Sequence, residues 1–177
     1  KTVLDVGSGQ RVASVLMTGI KYVGVEPSVP LVERAKILYP EERFLVGSAY
    51  ELPVDANAFE GAFSINVWFH LADPLRALHE VYRVLKPGGS FLLISPNPGA
   101  YDIWESFYED VERDGKVIIG KVRVPGITLS KNIFYQHSEF EFEEAFHQAN
   151  FSLLQKTDLA PMDDGRGFLF RCWLLRK

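Results

Sequence analysis

The sequence lacks two features that indicate a secreted or membrane protein, namely paired cysteines and a long apolar run. One cysteine, Cys172, stands among 177 residues, so we expect no disulfide within the chain. It lies in the run "FLFRCWLL", where a buried structural thiol is expected. Every uninterrupted apolar stretch falls short of the roughly 20 residues of a membrane-spanning helix. This composition is typical of a protein of the reducing cytoplasm that has no membrane partner.

An excess of positive charge is also lacking. The chain carries 19 Lys and Arg residues against 23 Asp and Glu residues, a formal net charge of −4 at pH 7, which opposes a broad electrostatic footprint on nucleic acid. A small-molecule partner is therefore favoured, and no nucleic acid is expected. The His, Cys and acidic residues do not stand at the spacing of a metal site, so no metal is expected either.

The length and the hydrophobic fraction of 47% predict one compact domain over residues 1–177, as a monomer or a homodimer. Short β-branched runs alternate with segments of helical period. Strands are predicted in "TVLDV", "KYVGVE", "RFLVG", "EGAFSIN" and "SFLLIS", and helices in "QRVASVLM", "SVPLVERAKIL" and "DPLRALHEVYRVL". This order is the pattern of βαβ units and predicts an α/β fold. Lys1 leads directly into the first strand, so we expect a further N-terminal segment before it.

The alternation lapses over residues 98–133, a length that in a compact domain indicates a functional insertion. There "GAYDIWESFYEDVERDG" predicts a helix, and "KVIIGKVRVPG" predicts a short strand or hairpin. The regular pattern returns with a helix whose first turn carries an S-x-x-E capping box, formed by Ser138 and Glu141. Two closing strands follow in "FSLLQKTD" and "GFLFRCWLLRK".

Two glycines, Gly7 and Gly9, follow the first predicted strand, at the edge of the sheet where α/β proteins bind ligands. Without side chains the backbone can pass close to a ligand and point amide groups at it. A tight turn without a ligand is the alternative. The second strand ends on Glu26, nineteen residues after Gly7, and a carboxylate there can accept hydrogen bonds from both hydroxyls of a ribose. Together these features predict a site for an adenosine cofactor.

The identity of that cofactor depends on Val12, because a nicotinamide dinucleotide fingerprint requires glycine or alanine at this position. The segments "VLDVGSGQ", "VGVEPS", "LVGSAYELPVDANAFEGAFSINVWFHLADP" and "EVYRVLKPGGSFLLISPN" resemble the class I S-adenosylmethionine-dependent methyltransferases over residues 2–97. The resemblance implies a Rossmann-like, doubly wound fold with helices on both faces of a seven-stranded mixed sheet, whose last strand runs antiparallel. It also implies S-adenosyl-L-methionine as the cofactor.

The activity that the resemblance implies is methyl transfer to a small-molecule acceptor, through an oxygen, nitrogen or carbon nucleophile. Two alternatives stay open. One is a non-catalytic relative that binds S-adenosylmethionine or S-adenosylhomocysteine, since a fold does not prove an activity. The other is a nicotinamide-dependent oxidoreductase, which the glycine turn and Glu26 favour and which Val12 opposes.

The resemblance also implies which residues contact the cofactor. The residues expected to lie against its methionine part are Asp5, Gly7, Ser8 and Gly9. Glu26 is expected to bind the ribose, and Ser48 and Ala49 to contact the adenine. Ser48 stands where the family commonly has an aspartate, and its hydroxyl can still form a hydrogen bond with the adenine amino group.

The predicted loop after the fourth strand, "NVWFHLADP", supplies the candidate catalytic residue. Asn66 can form a hydrogen bond with the acceptor or the cofactor, and Trp68 can pack its π-face beside the adenine or the sulfonium. Core packing is the alternative for Trp68. Methyl transfer depends mainly on alignment, and His70 is the candidate base for removing a proton from the acceptor. The alternative is that His70 only ties the loop to the following helix.

Aromatic residues of the insertion are candidates for a lid over the acceptor. Tyr101, Trp104 and Tyr108 belong to this group, and Trp104 and Tyr108 are spaced to share a helix face. An aromatic lid suits a planar or apolar acceptor and excludes water. Packing of the lid onto the sheet is the alternative. Tyr135 and His137, just before the capping box, are further candidate acceptor contacts.

Overall fold

The computed structural model describes residues 1–10, 19–122, 131–162 and 167–177. The strands in these ranges are β1 (Thr2–Val6), β2 (Lys21–Glu26), β3 (Arg43–Val46), β4 (Phe59–Ile65), β5 (Leu85–Pro96), β6 (Tyr108–Asp114), β7 (Val117–Val122), β8 (Lys131–Tyr135), β9 (Ser152–Pro161) and β10 (Phe168–Arg176). The α-helices are α1 (Val29–Leu38), α2 (Pro74–Val84), α3 (Tyr101–Glu105) and α4 (Glu139–Gln148). The helix predicted in "QRVASVLM", with Val12, lies outside the described residues apart from Gln10. None of the helices within the four described ranges has the length and apolar character to cross a bilayer.

The main sheet has the strand order β3-β2-β1-β4-β5-β10-β9. Strand β1 pairs in parallel with β2 on one side and β4 on the other, while β10 pairs antiparallel with both β5 and β9. This confirms the predicted Rossmann-like fold, a seven-stranded mixed sheet whose last strand is antiparallel. The order of the strands reverses beside β1, so the carboxyl end of β1 is the expected place for a ligand.

Both faces of the sheet are covered, which is why its central strands are apolar at successive positions. Leu4 and Val6 of β1 are fully buried in the larger core, which lies under α2 and α4. A smaller core on the other face lies under α1 and includes Phe63 of β4. Cys172 on β10 was expected to be buried, and it is instead half-buried, with burial raising the pKa of its thiol.

The insertion forms a second sheet of the order β6-β7-β8, which corrects the long helix predicted in "GAYDIWESFYEDVERDG". The α-helix of this segment is confined to α3, at whose end both the amide and the hydroxyl of Ser106 donate to the Ile103 carbonyl, at 3.0 and 2.6 Å. The ring of Tyr108 then packs 4.9 Å from that of Phe134, across the new sheet. Gly115, in the turn between β6 and β7, is the sequence signal for this hairpin.

Helix α4 begins with the predicted capping box. The Ser138 hydroxyl accepts a hydrogen bond from the Glu141 amide at 3.2 Å, and the Glu141 carboxylate accepts one from the Ser138 amide at 2.8 Å. The helix buries Phe142 and Phe146 against Trp173 of β10, with ring centroids 5.2 and 5.9 Å apart. The cap therefore sets the first residue of α4, and with it the position of the phenylalanines that pack on Trp173.

We predict that Ser138→Ala lowers the free energy of unfolding by about 1 kcal/mol, the usual cost of losing a side-chain cap. Urea denaturation of both proteins measures the difference. Ser152→Ala is the matched control, because Ser152 is an exposed serine at the start of β9. A loss no larger than that of the control contradicts the role of the cap.

Candidate active site

The turn after β1 is shaped by the backbone of β2 and by the loop after β4. The amides of Gly7 and Ser8 both donate to the Val25 carbonyl, at 2.8 and 3.1 Å. Gly7 has φ +79°, and a Cβ built on it would lie 2.3 Å from Cγ2 of Val67. Only glycine therefore allows the loop after β4 to close onto this turn.

Glu26, at the end of β2, binds the second part of the same turn. Its Oε2 accepts a hydrogen bond from the Gly9 amide and its Oε1 one from the Ser28 amide, both at 3.0 Å. A carboxylate has about four acceptor positions, so Glu26 can accept two further donors. Gly9 has φ +54°, and a Cβ built on it meets no described atom within 4 Å. The turn therefore leaves open space next to the carboxylate.

Asp5, on β1, is buried beneath the turn and is bound there by a side chain of β2. The Tyr22 hydroxyl donates to its Oδ2 at 2.6 Å. Burial raises the pKa of Asp5 to about 7, the Tyr22 hydrogen bond lowers it, and the nearby Glu26 raises it. The buried Ser8 hydroxyl oxygen has no hydrogen-bond partner in the described part of the chain. Unsatisfied polar groups of this kind mark places where a ligand or water is bound.

A cavity of about 730 Å³ opens at this turn. The predicted cofactor residues that line it are Asp5, Gly7, Ser8, Gly9 and Asn66, and the lining residues that the sequence analysis missed are Gln10, Leu31, Tyr39, Phe63 and Ile65. The missed apolar residues belong to α1, β4 and the turn after α1. In the sequence they look like ordinary core residues of a helix or a strand, so nothing marked them as cavity residues. Glu26, Ser48 and Ala49 lie outside this lining, at the ends of the neighbouring strands β2 and β3.

Comparison with known proteins decides the family. The methyltransferase domain family matches residues 4–93, just over half of the chain. The chain belongs to the class I S-adenosylmethionine-dependent methyltransferases. An uncharacterized methyltransferase of Mycobacterium tuberculosis is 30% identical over 123 residues, covering 69% of this chain and 50% of the relative. The chain thus spans about half the length of the curated relatives it matches.

Solved structures share the fold of this methyltransferase at lower sequence identity. An S-adenosylmethionine-dependent methyltransferase of Methanosarcina mazei superposes with a TM-score of 0.79 at 19% identity, over 99% of this chain and 92% of that one. The 1,6-didemethyltoxoflavin-N1-methyltransferase of Burkholderia thailandensis has a TM-score of 0.68 at 19% identity, over 99% of this chain and 70% of that one. That enzyme was solved with 1,6-didemethyltoxoflavin and S-adenosylhomocysteine bound.

The loop after β4 contains two residues that were expected to contact the cofactor, and the structure places them in different surroundings. Asn66 is exposed, lines the cavity and has φ +58°, a conformation that asparagine tolerates better than most residues. Trp68 is instead fully buried, with its ring 5.6 Å from that of Phe91 in the larger core. This corrects the expected contact of Trp68 with the cofactor, because its side chain has no accessible surface to offer.

His70 follows in the same loop and contacts the insertion rather than the next helix. Its Nδ1 lies 2.8 Å from the carbonyl oxygen of Ile133 on β8. A carbonyl can only accept, so Nδ1 carries the proton and, in the neutral ring, Nε2 keeps its lone pair. The ring is exposed. His70 is not among the residues that line the cavity, so its bond to Ile133 shows a structural tie, and its role as a base stays a prediction.

The aromatic residues predicted as acceptor contacts are mostly used in packing. The Tyr101 hydroxyl donates to the His137 carbonyl at 3.1 Å, and the indole N–H of Trp104 donates to the Leu169 carbonyl at 3.0 Å. His137 is buried, with Nε2 2.7 Å from the Leu71 carbonyl oxygen, and burial lowers its pKa. Its burial corrects the expected contact of His137 with an acceptor.

Three predicted aromatic residues remain partly accessible. Tyr108 and Tyr135 are half-buried on β6 and β8. Trp104 is half-buried on α3, and it shares no helix face with Tyr108, because Tyr108 belongs to a strand. These three residues stay candidates for the acceptor side.

The loop after β3 is held by α2, an interaction that the sequence analysis missed. Oε2 of Glu80 accepts a hydrogen bond from the Leu52 amide at 2.8 Å. The guanidinium of Arg83 donates to the carbonyls of Leu52 and Val54, at 3.0 and 2.9 Å. Within the loop, the Ser48 oxygen accepts from the Tyr50 amide at 3.1 Å. The Ser48 oxygen thus acts as an acceptor within the loop, and its hydroxyl proton can still be donated to another group.

We predict that the stability of the ligand-free protein depends on pH through Asp5. Its pKa of about 7 lies above the unfolded value near 3.9. The folded state therefore binds the proton more tightly, and this stabilisation is complete below about pH 4 and lost as the pH rises through about 7. Asp5→Asn removes this dependence. The stability of the wild type relative to Asp5→Asn should fall by up to about 1.4 kcal/mol per pH unit in that range.

Urea denaturation of both proteins at several pH values between 4 and 9 measures this difference. Parallel pH profiles of the two proteins would contradict the assignment to Asp5, because every other titrating group is common to both.

Proposed function

We propose that this chain transfers the methyl group of S-adenosylmethionine to a small-molecule acceptor. The observation that carries the proposal is that Asp5 and the Gly7–Gly9 turn line one open cavity at the point where the strand order reverses, and that Glu26 binds the Gly9 amide of the same turn. Membership of the family supports the cofactor. The Burkholderia enzyme, which acts on a small heterocycle by its name, supports the class of acceptor.

The residues at the cavity fit S-adenosylmethionine. Glycine leaves open space at residue 9, the Ser8 oxygen has no described partner, and Glu26 can accept two more donors. Asp5 and the turn glycines would hold the methionine part, Glu26 the ribose, and Ser48 with Ala49 the adenine. When bound, S-adenosylmethionine supplies a methyl group on a positively charged sulfur, with S-adenosylhomocysteine as the leaving group.

The contribution of the chain is mainly alignment. The Ser64 hydroxyl donates to the Val6 carbonyl at 2.7 Å, which fixes the end of β4 against the end of β1. Val67 then packs onto Gly7, so Asn66 is held on the cavity wall at a set distance from the turn. An acceptor that contacts Asn66 is thereby placed relative to the cofactor.

His70 is proposed as the base. Its hydrogen bond to the Ile133 carbonyl orients the ring and leaves Nε2 able to take a proton. The proton comes from the hydroxyl, amine or acidic carbon of the acceptor as that atom becomes the nucleophile. Because the partner of His70 lies on β8, the orientation of the base depends on the position of the insertion.

We predict that Glu26→Gln weakens binding of S-adenosylmethionine and S-adenosylhomocysteine at least about tenfold. The amide has fewer acceptor positions and places a donor beside the Gly9 and Ser28 amides. Isothermal titration calorimetry measures both Kd values, with a nicotinamide dinucleotide as the negative control. Glu33→Gln is the matched control, since Glu33 is an exposed glutamate of α1 paired with Lys36. Equal affinity of Glu26→Gln and wild type contradicts the site, and wild-type protein that binds neither ligand contradicts the function.

We predict that His70→Asn lowers kcat by about 10²–10⁴ for an acceptor whose proton must be removed, with the Kd for S-adenosylmethionine unchanged. The measurement is the release of S-adenosylhomocysteine across a panel of small hydroxyl, amine and carbon acceptors. His79→Asn, an exposed histidine of α2, is the control. An unchanged kcat together with a lower melting temperature shows that His70 is a structural tie only.

A further inference from the structure

We propose that Tyr22 is a positioning residue, whose phenol holds the Asp5 carboxyl at the cavity and sets the pH range in which the methyltransferase binds its cationic cosubstrate. The inference rests on the proposed function, because the cation in question is that of S-adenosylmethionine. Tyr22 is not among the residues that line the cavity, whereas Asp5 is. The Tyr22 hydroxyl is bonded to the Asp5 carboxyl, so the effect of this hydroxyl on the ligand is expected to pass through Asp5.

The contact between the Tyr22 and Asp5 side chains depends on Gly24, the residue of β2 that has no side chain. Asp5 pairs with Gly24, and Tyr22 stands two pairs further back on the same face of the sheet, opposite Val3. A Cβ built on Gly24 would lie 2.8 Å from the Ser8 oxygen and 2.8 Å from the Phe44 ring. Since no side chain stands at Gly24, the Tyr22 phenol can extend along the strand to Asp5 and reach it at 2.6 Å.

The position of the Tyr22 phenol is well determined by its neighbours. Its ring lies 5.7 Å from that of Phe44 and 6.4 Å from that of Phe63, and the exposed fractions of Tyr22 and Asp5 are only 3% and 5%. Water therefore has little access to the hydrogen bond. A buried donor of this kind stabilises the ionised carboxyl, and its loss favours the protonated form.

Within the described ranges of the chain, the other groups around Asp5 do not supply a positive charge. Strand β2 contributes Tyr22 and Glu26, and the negative charge of Glu26 acts against ionisation of Asp5. Strand β4 contributes the apolar Phe63 and Ile65, and α1 contributes the apolar Leu31, beyond which Tyr39 follows at the cavity. Among the described groups that act on its charge, Tyr22 is thus the one that favours the ionised carboxyl.

The balance between burial and the Tyr22 hydrogen bond places the pKa of Asp5 at about 7. Ionised Asp5 attracts a ligand with an ammonium and a sulfonium group, and protonated Asp5 does not. Removal of the Tyr22 hydroxyl raises the pKa of Asp5 further. Cosubstrate affinity of the variant then requires a higher pH.

The test compares Tyr22→Phe with wild type by calorimetry with S-adenosylmethionine and S-adenosylhomocysteine at several pH values from 6 to 9. For each ligand and pH, the Kd of Tyr22→Phe is divided by the Kd of wild type, and this ratio cancels the titration of the ligand itself. If the pKa of Asp5 rises by about one, the ratio should be about fivefold at pH 7 and close to one at pH 9. Tyr82→Phe is the matched control, because Tyr82 packs against Phe151 in the core under α2. Its ratio should stay near one throughout.

A ligand-free measurement tests the contact separately. The carboxyl carbon of Asp5, followed by NMR against pH, should titrate near pH 7 in wild type and at a higher pH in Tyr22→Phe. An unchanged midpoint, or a Kd ratio that does not vary with pH, overturns this inference while the proposed function stands. Wild-type protein that binds neither ligand at any pH overturns the proposed function, and the NMR midpoints then still decide whether Tyr22 controls Asp5.

Discussion

The close approach of two loops at Gly7 is the constraint on which the site depends. The loop after β4 can reach the turn after β1 only because residue 7 has no Cβ where Val67 packs. The same turn is fixed from the other side by two hydrogen bonds to the Val25 carbonyl. Three neighbouring strands of the parallel sheet are thereby joined at their carboxyl ends. A larger side chain at residue 7 would separate Asn66 from the turn and widen the cavity.

The acidic groups of the site follow from this geometry. Asp5 and Glu26 lie on neighbouring strands and point to the same face, which places two carboxyl groups beside one buried turn. Two buried like charges are unfavourable without a partner. A cationic ligand supplies that partner. The burial of the two acids lowers the stability of the ligand-free protein, and a bound cation relieves this unfavourable term. The Tyr22 hydroxyl reduces this cost from within the chain.

The sequence predicted the site where local patterns are sufficient. A glycine turn after an apolar strand and an acid at the end of the next strand identify Gly7, Gly9 and Glu26, because parallel strands bring their ends together. For Trp68 the sequence left a cofactor contact and core packing open, because its neighbours do not reveal to which side the indole turns; the structure shows core packing. Tyr22 was missed because a tyrosine in an apolar strand is typical of a core residue. Its contact depends on the empty position at Gly24, which only the strand register reveals.

The structure of the insertion was also not predicted from local sequence patterns, and this structure determines the contacts of His70. Its aromatic residues allow a helix, but the hydrogen bonds of Ser106 end that helix and the packing of Tyr108 on Phe134 favours a sheet. Because β8 is an edge strand of this sheet, the Ile133 carbonyl is available to His70. Just after β8, His137 bonds to the Leu71 carbonyl. These two bonds join β8 and the residues after it to the loop after β4. A structural tie and a catalytic base are thus compatible roles for His70, since the bond that ties Nδ1 is also the one that leaves Nε2 free to accept a proton.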